Sequence, residues 1–282
     1  TQSLLEGKLT LLFGKLNTVD LVDGFFPEVA SGREGFMNAN AMVTALPWFR
    51  FVNLTEWGGG FFVNNDKGQI QSGLLLLGSD NVSTTWDFAP SFRQGLGVFG
   101  FHKFFWEVGD KPGYVLIGAG GSTHDYASLD ESDWLDVPGT GPVGPVDKNP
   151  WDIAAYISQY LWQDSCNKAR HIQFVTGGTI ADDNPSFSDW NAFGRIEGYG
   201  LLPSRPGDRM GFGGWYNGIS NNAINLASLA GENVRDNWGL EMYYNREITP
   251  WFHLTGDMQI LDNSNADTDT SLVLGMRGII NL

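Results

Sequence analysis

The chain is short of cysteine, of positive charge and of long apolar runs, and each shortage excludes something. Its one cysteine, Cys166, rules out an internal disulfide and leaves the redox compartment open. No stretch approaches the roughly 18 apolar residues that a membrane-crossing helix needs, so none is expected. Lys and Arg number 17 against 32 Asp and Glu, a net charge of −15. A nucleic-acid partner requires a basic face and is therefore not expected. Only four histidines are present, His102, His124, His171 and His253. No Cys/His spacing suits a metal, and neither a phosphate-binding loop nor a dinucleotide fingerprint occurs, so no cofactor is implied. No signal peptide is visible, and the chain opens at Thr1 as a mature exported protein or a fragment would.

Glycine is plentiful at 37 residues and aromatics reach 13%. Mean hydropathy is slightly negative. That average reads as soluble, but strands with alternating side chains average out in the same way. From Asn237 onward the alternation is regular. Trp238, Leu240, Met242, Tyr244, Phe252, Leu254, Met258, Ile260, Leu272, Leu274, Met276 and Ile280 fall on even positions. Asn237, Glu241, Tyr243, Asn245, His253, Thr255, Asp257, Gln259, Ser271, Arg277 and Asn281 fall on odd ones. Successive side chains of a strand point to opposite faces, so each segment has one apolar and one polar face. The pattern predicts an all-β protein, a transmembrane antiparallel β-barrel with lipid outside and water inside.

Twelve strands are expected near 8–17, 57–64, 69–78, 98–107, 112–121, 152–162, 171–179, 190–200, 208–218, 237–246, 251–261 and 270–281. Short connections (NNDKGQ, VGDKP, DSCNKA, LLPSRPG, REITP) alternate with long ones at 18–56, 79–97, 122–151, 180–189, 219–236 and 262–269. Outer-membrane barrels have short periplasmic turns and longer external loops, which places the C-terminus on the periplasmic side. WDIAAYISQYLWQ can pass for an amphipathic helix. Period two instead puts Asp152, Tyr156, Ser158, Tyr160 and Trp162 on one face. SGLLLLGS has no alternation and its faces are not assignable. No linker divides the chain, so residues 1–282 are read as a single β-barrel domain.

Several segments resemble the OprB-type carbohydrate-selective porin family. YYNREITPWFHLTGDMQI followed by TSLVLGMRG looks like its closing hairpin, and LLPSRPGDRMGFGGWYN is similar to its Arg-Pro-x-Asp-Arg turn with the glycine-rich strand after it. LTLLFGKLNTVD and FMNANA resemble its Gly-Lys-Leu strand and Phe-Met-Asn segment. The resemblance implies an outer-membrane channel for passive, selective diffusion of carbohydrates. It also implies sixteen strands, of which this chain would carry the C-terminal three quarters as an N-terminally incomplete copy. Family members commonly end in an aromatic residue, whereas this chain ends in Leu282. The resemblance leaves oligomeric state open, a homotrimer included.

If polar faces point inward, the lumen is lined by Asn191, Phe193, Arg195, Glu197 and Tyr199, then Arg209, Trp215 and Asn217. Glu241, Tyr243, Asn245, His253, Asp257, Gln259 and Arg277 follow, with Phe101, Lys103, Phe105 and Glu107 from the strand near 98–107. A sugar needs donors and acceptors in place of its water shell and flat rings for its C–H faces, and this mixture supplies both. Weak individual contacts would let it leave as easily as it enters. The competing reading for any one of these residues is a structural network holding the wall.

The connection at 18–56 is rich in Phe, Val, Leu and Met, and part of it is expected to fold into the barrel mouth and constrict the pore. Packing over a rim or against a neighbouring subunit is the alternative. Acidic stretches such as HDYASLDESDWLD and DNSNADTDT read as solvated loop surface. Their oxygen-rich composition also suits Ca²⁺ bridging to outer-membrane lipid, although neither has EF-hand spacing. Trp190, Trp238, Tyr244, Trp251 and Phe252 suit interface girdles.

No enzyme is expected. His124 beside Asp125 has no activated nucleophile evident near it. His253 and Asp257 would lie about 13 Å apart along a strand. Two further readings stay open, a general non-selective porin and a structural, surface-anchoring barrel with little transport.

Overall fold

The computed structural model describes residues 1–17, 21–22, 26, 34–42, 55–79 and 88–281. Strand β1 (Gln2–Leu4) leads through a 3-10 turn into β2 (Leu9–Asn17), β3 (Thr55–Asn64), β4 (Ile70–Gly78), β5 (Leu96–Val108) and β6 (Lys111–Ser122). Four small strands decorate the next connection: β7 (Tyr126–Ala127), β8 (Leu135–Val137), β9 (Gly141–Val143) and β10 (Val146–Lys148). The large strands resume with β11 (Trp151–Gln163), β12 (His171–Ala181), β13 (Ser188–Tyr199), β14 (Arg209–Ile219), β15 (Asn237–Thr249), β16 (Phe252–Asp262) and β17 (Ser271–Ile280). Helices are few and short among the described residues: α1 (Ala39–Met42), α2 (Phe88–Ser91) and α3 (Asn221–Leu229). None is long and apolar enough to cross a membrane.

One antiparallel sheet runs β1 to β6 and then β11 to β17, each strand beside its neighbour in sequence. β7 pairs with β10 and β8 with β9 as separate two-stranded pieces. Each of the twelve expected segments is occupied by a strand of the main sheet. The sheet has thirteen rather than twelve because Gln2–Leu4 pairs with Leu9–Leu11. Leu5, Glu6 and Gly7, all at positive φ, reverse the chain between them. The sheet is also open. Among the described residues β1 and β17 pair on one side only, so closure into a barrel is not a feature of this structure.

Local chemistry explains the short connections. Between β5 and β6 the paired residues Val108 and Lys111 leave a two-residue loop whose first member, Gly109, has φ +67°. Positive φ at that position alone is the II′ hairpin geometry, which matches strand twist. Between β11 and β12, Asp164 accepts from the Cys166 backbone at 2.8 Å and pairs with Arg170 at 2.5 Å. The Cys166 N–H, ahead of Asn167 and Arg170, holds the Asp164 carboxyl below its ordinary value. After β13, Asp208 takes the Glu247 backbone N–H at 3.1 Å and the Tyr244 hydroxyl, fixing that turn to the next hairpin.

Burial follows period two. Glu197 and Glu241 are each 1% exposed, whereas Phe212 is 53% and Met276 77% exposed. A soluble protein does not present so broad an apolar surface. Period two fails at Trp162. Tyr160 pairs with Gln173 and Trp162 with Ile172, so Leu161 is an extra residue, a bulge. Trp162 is thereby switched to the exposed face, away from Asp152, Tyr156 and Ser158. The faces of SGLLLLGS are now defined, with Leu75 and Leu77 buried and Leu76 exposed.

Close approach of strands is tightest against backbone at Gly60. A Cβ at Gly60 would lie 2.0 Å from the Leu74 carbonyl oxygen, a backbone atom that cannot rotate aside. Gly60→Ala is expected to cost about 1–3 kcal/mol, as overpacking does. A lowered urea midpoint of the detergent-solubilised protein would report it; an unchanged midpoint would contradict the register of β3 on β4.

Candidate functional site

The polar face divides into two halves. On β2 to β6 it is largely apolar, with Leu12, Leu16, Phe62, Leu75, Phe99 and Phe101 buried. Phe26 meets Phe101 edge-on at 4.7 Å, and the Lys103 ammonium lies 4.9 Å from the ring centres of both Phe26 and Tyr114. On β13 to β17 the same face carries ions and amides.

Glu197 anchors the ionic half. It accepts from Arg195 Nε at 2.9 Å, Arg209 Nη2 at 3.1 Å and the Tyr243 hydroxyl at 2.6 Å. Arg209 also donates to the Tyr199 hydroxyl at 2.8 Å and lies 4.4 Å from that ring's centre. Beyond Tyr199, the His171 and Tyr160 rings continue a stack at 4.3 Å spacing. The residues meet because strand pairing places Tyr199 opposite both His171 and Arg209.

Residues 34–42 lie across this half. Glu241 accepts the backbone N–H groups of Met37 at 2.5 Å and Asn38 at 3.1 Å. Gln259 accepts from Asn38 Nδ2 at 3.2 Å, Arg195 donates to the Ala41 carbonyl at 2.9 Å, and Arg277 donates to that of Gly35 at 2.5 Å. Phe36 is fully buried, edge-on to Tyr243 at 4.8 Å. Its space comes from two glycines. A Cβ on Gly211 would come within 3.0 Å of Phe36 and one on Gly213 within 3.3 Å. The remainder of the 18–56 connection, apart from Leu21, Val22, Phe26 and β3's start, lies outside the described residues.

Of the sequence-derived candidates, Lys103, Phe193, Arg195, Glu197, Trp215, Asn217, Glu241, Tyr243, Asn245, His253, Asp257 and Gln259 are buried on this face. Tyr199, Arg209 and Arg277 are partly buried there. Asn217 donates to Asn237 at 2.8 Å and Asn245 to Thr255 at 2.8 Å, with His253 Nδ1 3.0 Å from Asn245 Oδ1. Glu107 departs from the group. It is exposed at a short-turn end, 3.3 Å from Lys67, because it sits opposite Pro112, one rung before the end of the β5–β6 hairpin.

His253 and Asp257 do not form a pair. The first turns to Asn245, with Glu34 3.7 Å from its other nitrogen, and the second accepts from Gln259 at 2.8 Å. Asp125 accepts from Asn149 at 2.9 Å, while His124 Nδ1 lies 3.3 Å from Ser79 Oγ. Among the described residues no group of three His, Cys, Asp or Glu could hold a metal. Sequence reasoning missed Glu34, Phe36, Met37 and Asn38 as parts of this face. The available signal was the glycine-rich strand itself, in which Gly211 and Gly213 leave room for the Phe36 ring.

A family model described as carbohydrate-selective porin, OprB family, matches residues 1–282. The fold is similar to the high-pH structure of Pseudomonas putida OprB, with a TM-score of 0.77 at 14% identity, covering 99% of this chain and 71% of that one. The low-pH structure of the same protein gives 0.56 at 14% identity, covering 99% and 64%. No curated protein sequence matches.

Proposed function

Because the chain belongs to the carbohydrate-selective porin, OprB family, we propose that it is an outer-membrane channel for passive, selective diffusion of carbohydrates or similar small polar solutes. The observation that carries the reading is the arrangement around Glu197. Guanidinium, carboxylate and phenol groups from three strands face a loop segment across the polar side of a sheet whose other side is apolar. Groups of these types, where they are open to the passage, replace a sugar's hydration shell.

The reading includes closure. Edge strands with free N–H and C=O groups are too costly in hydrocarbon, so both edges of the sheet are taken to pair further, toward the sixteen strands expected of the family. The short connections then face the periplasm, as does the C-terminus. In this arrangement residues 34–42 narrow the passage, and Arg195, Glu197, Glu241 and Tyr243 lie buried beneath them as the wall that holds the segment, with Arg209 and Tyr199 partly exposed beside it.

Single-channel recording in a planar bilayer, with mono- and disaccharides titrated in, tests the proposal. Discrete current steps blocked by a sugar at millimolar concentration support it. Open steps that no sugar blocks would indicate a general porin. A folded protein without conductance would favour an anchoring barrel.

A further inference from the structure

On the apolar side of the sheet a groove of about 840 Å³ opens over β13 to β16, with walls almost wholly apolar. Strand register builds it from successive rungs. Ile196, Phe212, Met242 and Met258 stand opposite one another across four strands and form a bulky, exposed rung. The next rung toward the short connections is Gly198, Met210, Tyr244 and Gly256, small at both ends. Leu201 folds back over Gly198, where a Cβ would come within 2.4 Å of it. Gly256 stays open: a Cβ there would have no described neighbour within 4 Å.

The end of the groove is basic. Arg246 follows Tyr244 on the same face, is exposed, and pairs with Leu254. Among the described residues no carboxylate lies within 4 Å of its guanidinium. Lys8, Lys67, Lys111 and Arg170, at other short-connection ends, each lie 2.5–3.3 Å from one. Arg205 adds a second guanidinium from the β13–β14 turn, 41% exposed and 3.5 Å from the buried Asp208. Asp208 also accepts the Tyr244 hydroxyl, which ties that turn to the groove. The next carboxylate in the chain, Glu247, is turned to the other face by alternation, pairs with His253 and lies against Gly207. The outer side of this end therefore holds two guanidinium groups against one buried carboxylate.

An occupant must carry a long apolar part with a negative group at one end. A second copy meeting this surface two-fold would bring the same cations together, which is repulsive. A zwitterionic lipid would set its ammonium beside the guanidinium groups. We propose that the groove binds an anionic glycerophospholipid such as phosphatidylglycerol, with one acyl chain along the notch at Gly256 and the phosphate on Arg246 and Arg205. Guanidinium forks match phosphate oxygens two at a time, and a tyrosine suits the headgroup level between them. With the short connections at the periplasm, this lipid belongs to the inner leaflet of the outer membrane. The site rests on the membrane-spanning part of the proposed function and not on conduction.

Native mass spectrometry of the purified full chain, incubated in detergent with phosphatidylglycerol or phosphatidylethanolamine, reads both bound lipid and copy number. The native chain is expected to retain phosphatidylglycerol about tenfold more than phosphatidylethanolamine, the scale of a hydrogen bond to a charged group. Arg246→Gln should abolish that preference. Gly256→Leu should fill the notch and lower retention of both lipids, and the open space at its Cβ lets it fold. Sugar block of channel current should be unchanged in both variants. A chain without conductance that still shows this retention would sink the transport reading and leave the lipid site standing. Equal retention of the two lipids by the native chain overturns the proposal, as does a preference that survives Arg246→Gln or retention untouched by Gly256→Leu. Dimers that disappear in Gly256→Leu would assign the groove to a second copy instead.

Discussion

Phe36→Ala is expected to raise single-channel conductance severalfold and to weaken sugar block. Phe36 is fully buried between Tyr243 and the space above Gly211 and Gly213. Truncating a buried phenylalanine costs about 3–5 kcal/mol. Here that cost falls on the docking of residues 34–42, because the strands beneath keep their own ladders. The hydrogen bonds from Met37 and Asn38 to Glu241 would then hold the segment alone, at about 0.5–3 kcal/mol each. Gly213→Val should act in the same direction, although its Cβ would meet the Arg195 Cβ at 2.7 Å before the Phe36 ring at 3.3 Å, so it also strains the β13–β14 pairing. Bilayer recordings of both variants check this. Unchanged conductance in both would remove Phe36 as a constriction and leave it a packing residue.

Glu197→Gln is expected to destabilise the protein by about 3–5 kcal/mol, the scale for removing one member of a buried ion pair. The side chains of Arg195 and Glu197 are 0% and 1% exposed, and Arg209 shares the carboxylate. A glutamine keeps the shape but leaves two guanidinium groups without a counter-charge. Glu107→Gln is the comparison. Its pair with Lys67 is 60% and 75% exposed, and such pairs contribute about 0.2–1 kcal/mol. Urea unfolding in lipid vesicles, followed by tryptophan fluorescence, measures both. Equal, small losses would mean that water reaches Glu197, and the cluster would no longer count as a dry part of the wall. Sugar block measured on the same variant separates wall from solute contact. A wall role lowers stability with block affinity intact, whereas a contact role weakens block as well.

The candidate site was partly legible because side-chain alternation is local. Arg195, Glu197, Arg209, Glu241 and Tyr243 could be placed on one face by counting in twos, and the structure brings them to that face. Their partners could not be read in this way. Ala41 reaches Arg195 from 154 residues away, and Met37 reaches Glu241 from 204. Both contacts depend on a loop fitting a space that two glycines open. Trp162 was out of reach for a different reason. A single extra residue in a strand reverses every face after it, and nothing in the residue type announces where it falls.

The sequence by itself determined where the strands lie, which connections are short, and which face of each C-terminal strand is polar. Those properties follow from period two and from turn residues such as Gly109, and they need no knowledge of neighbours. Only the tertiary structure decided that this face is largely apolar over β2 to β6 and that residues 34–42 dock on its ionic half. Each of these is a matter of shape between segments distant in the chain. Packing selects such partners through volume and hydrogen-bond geometry, which one-dimensional patterning does not encode.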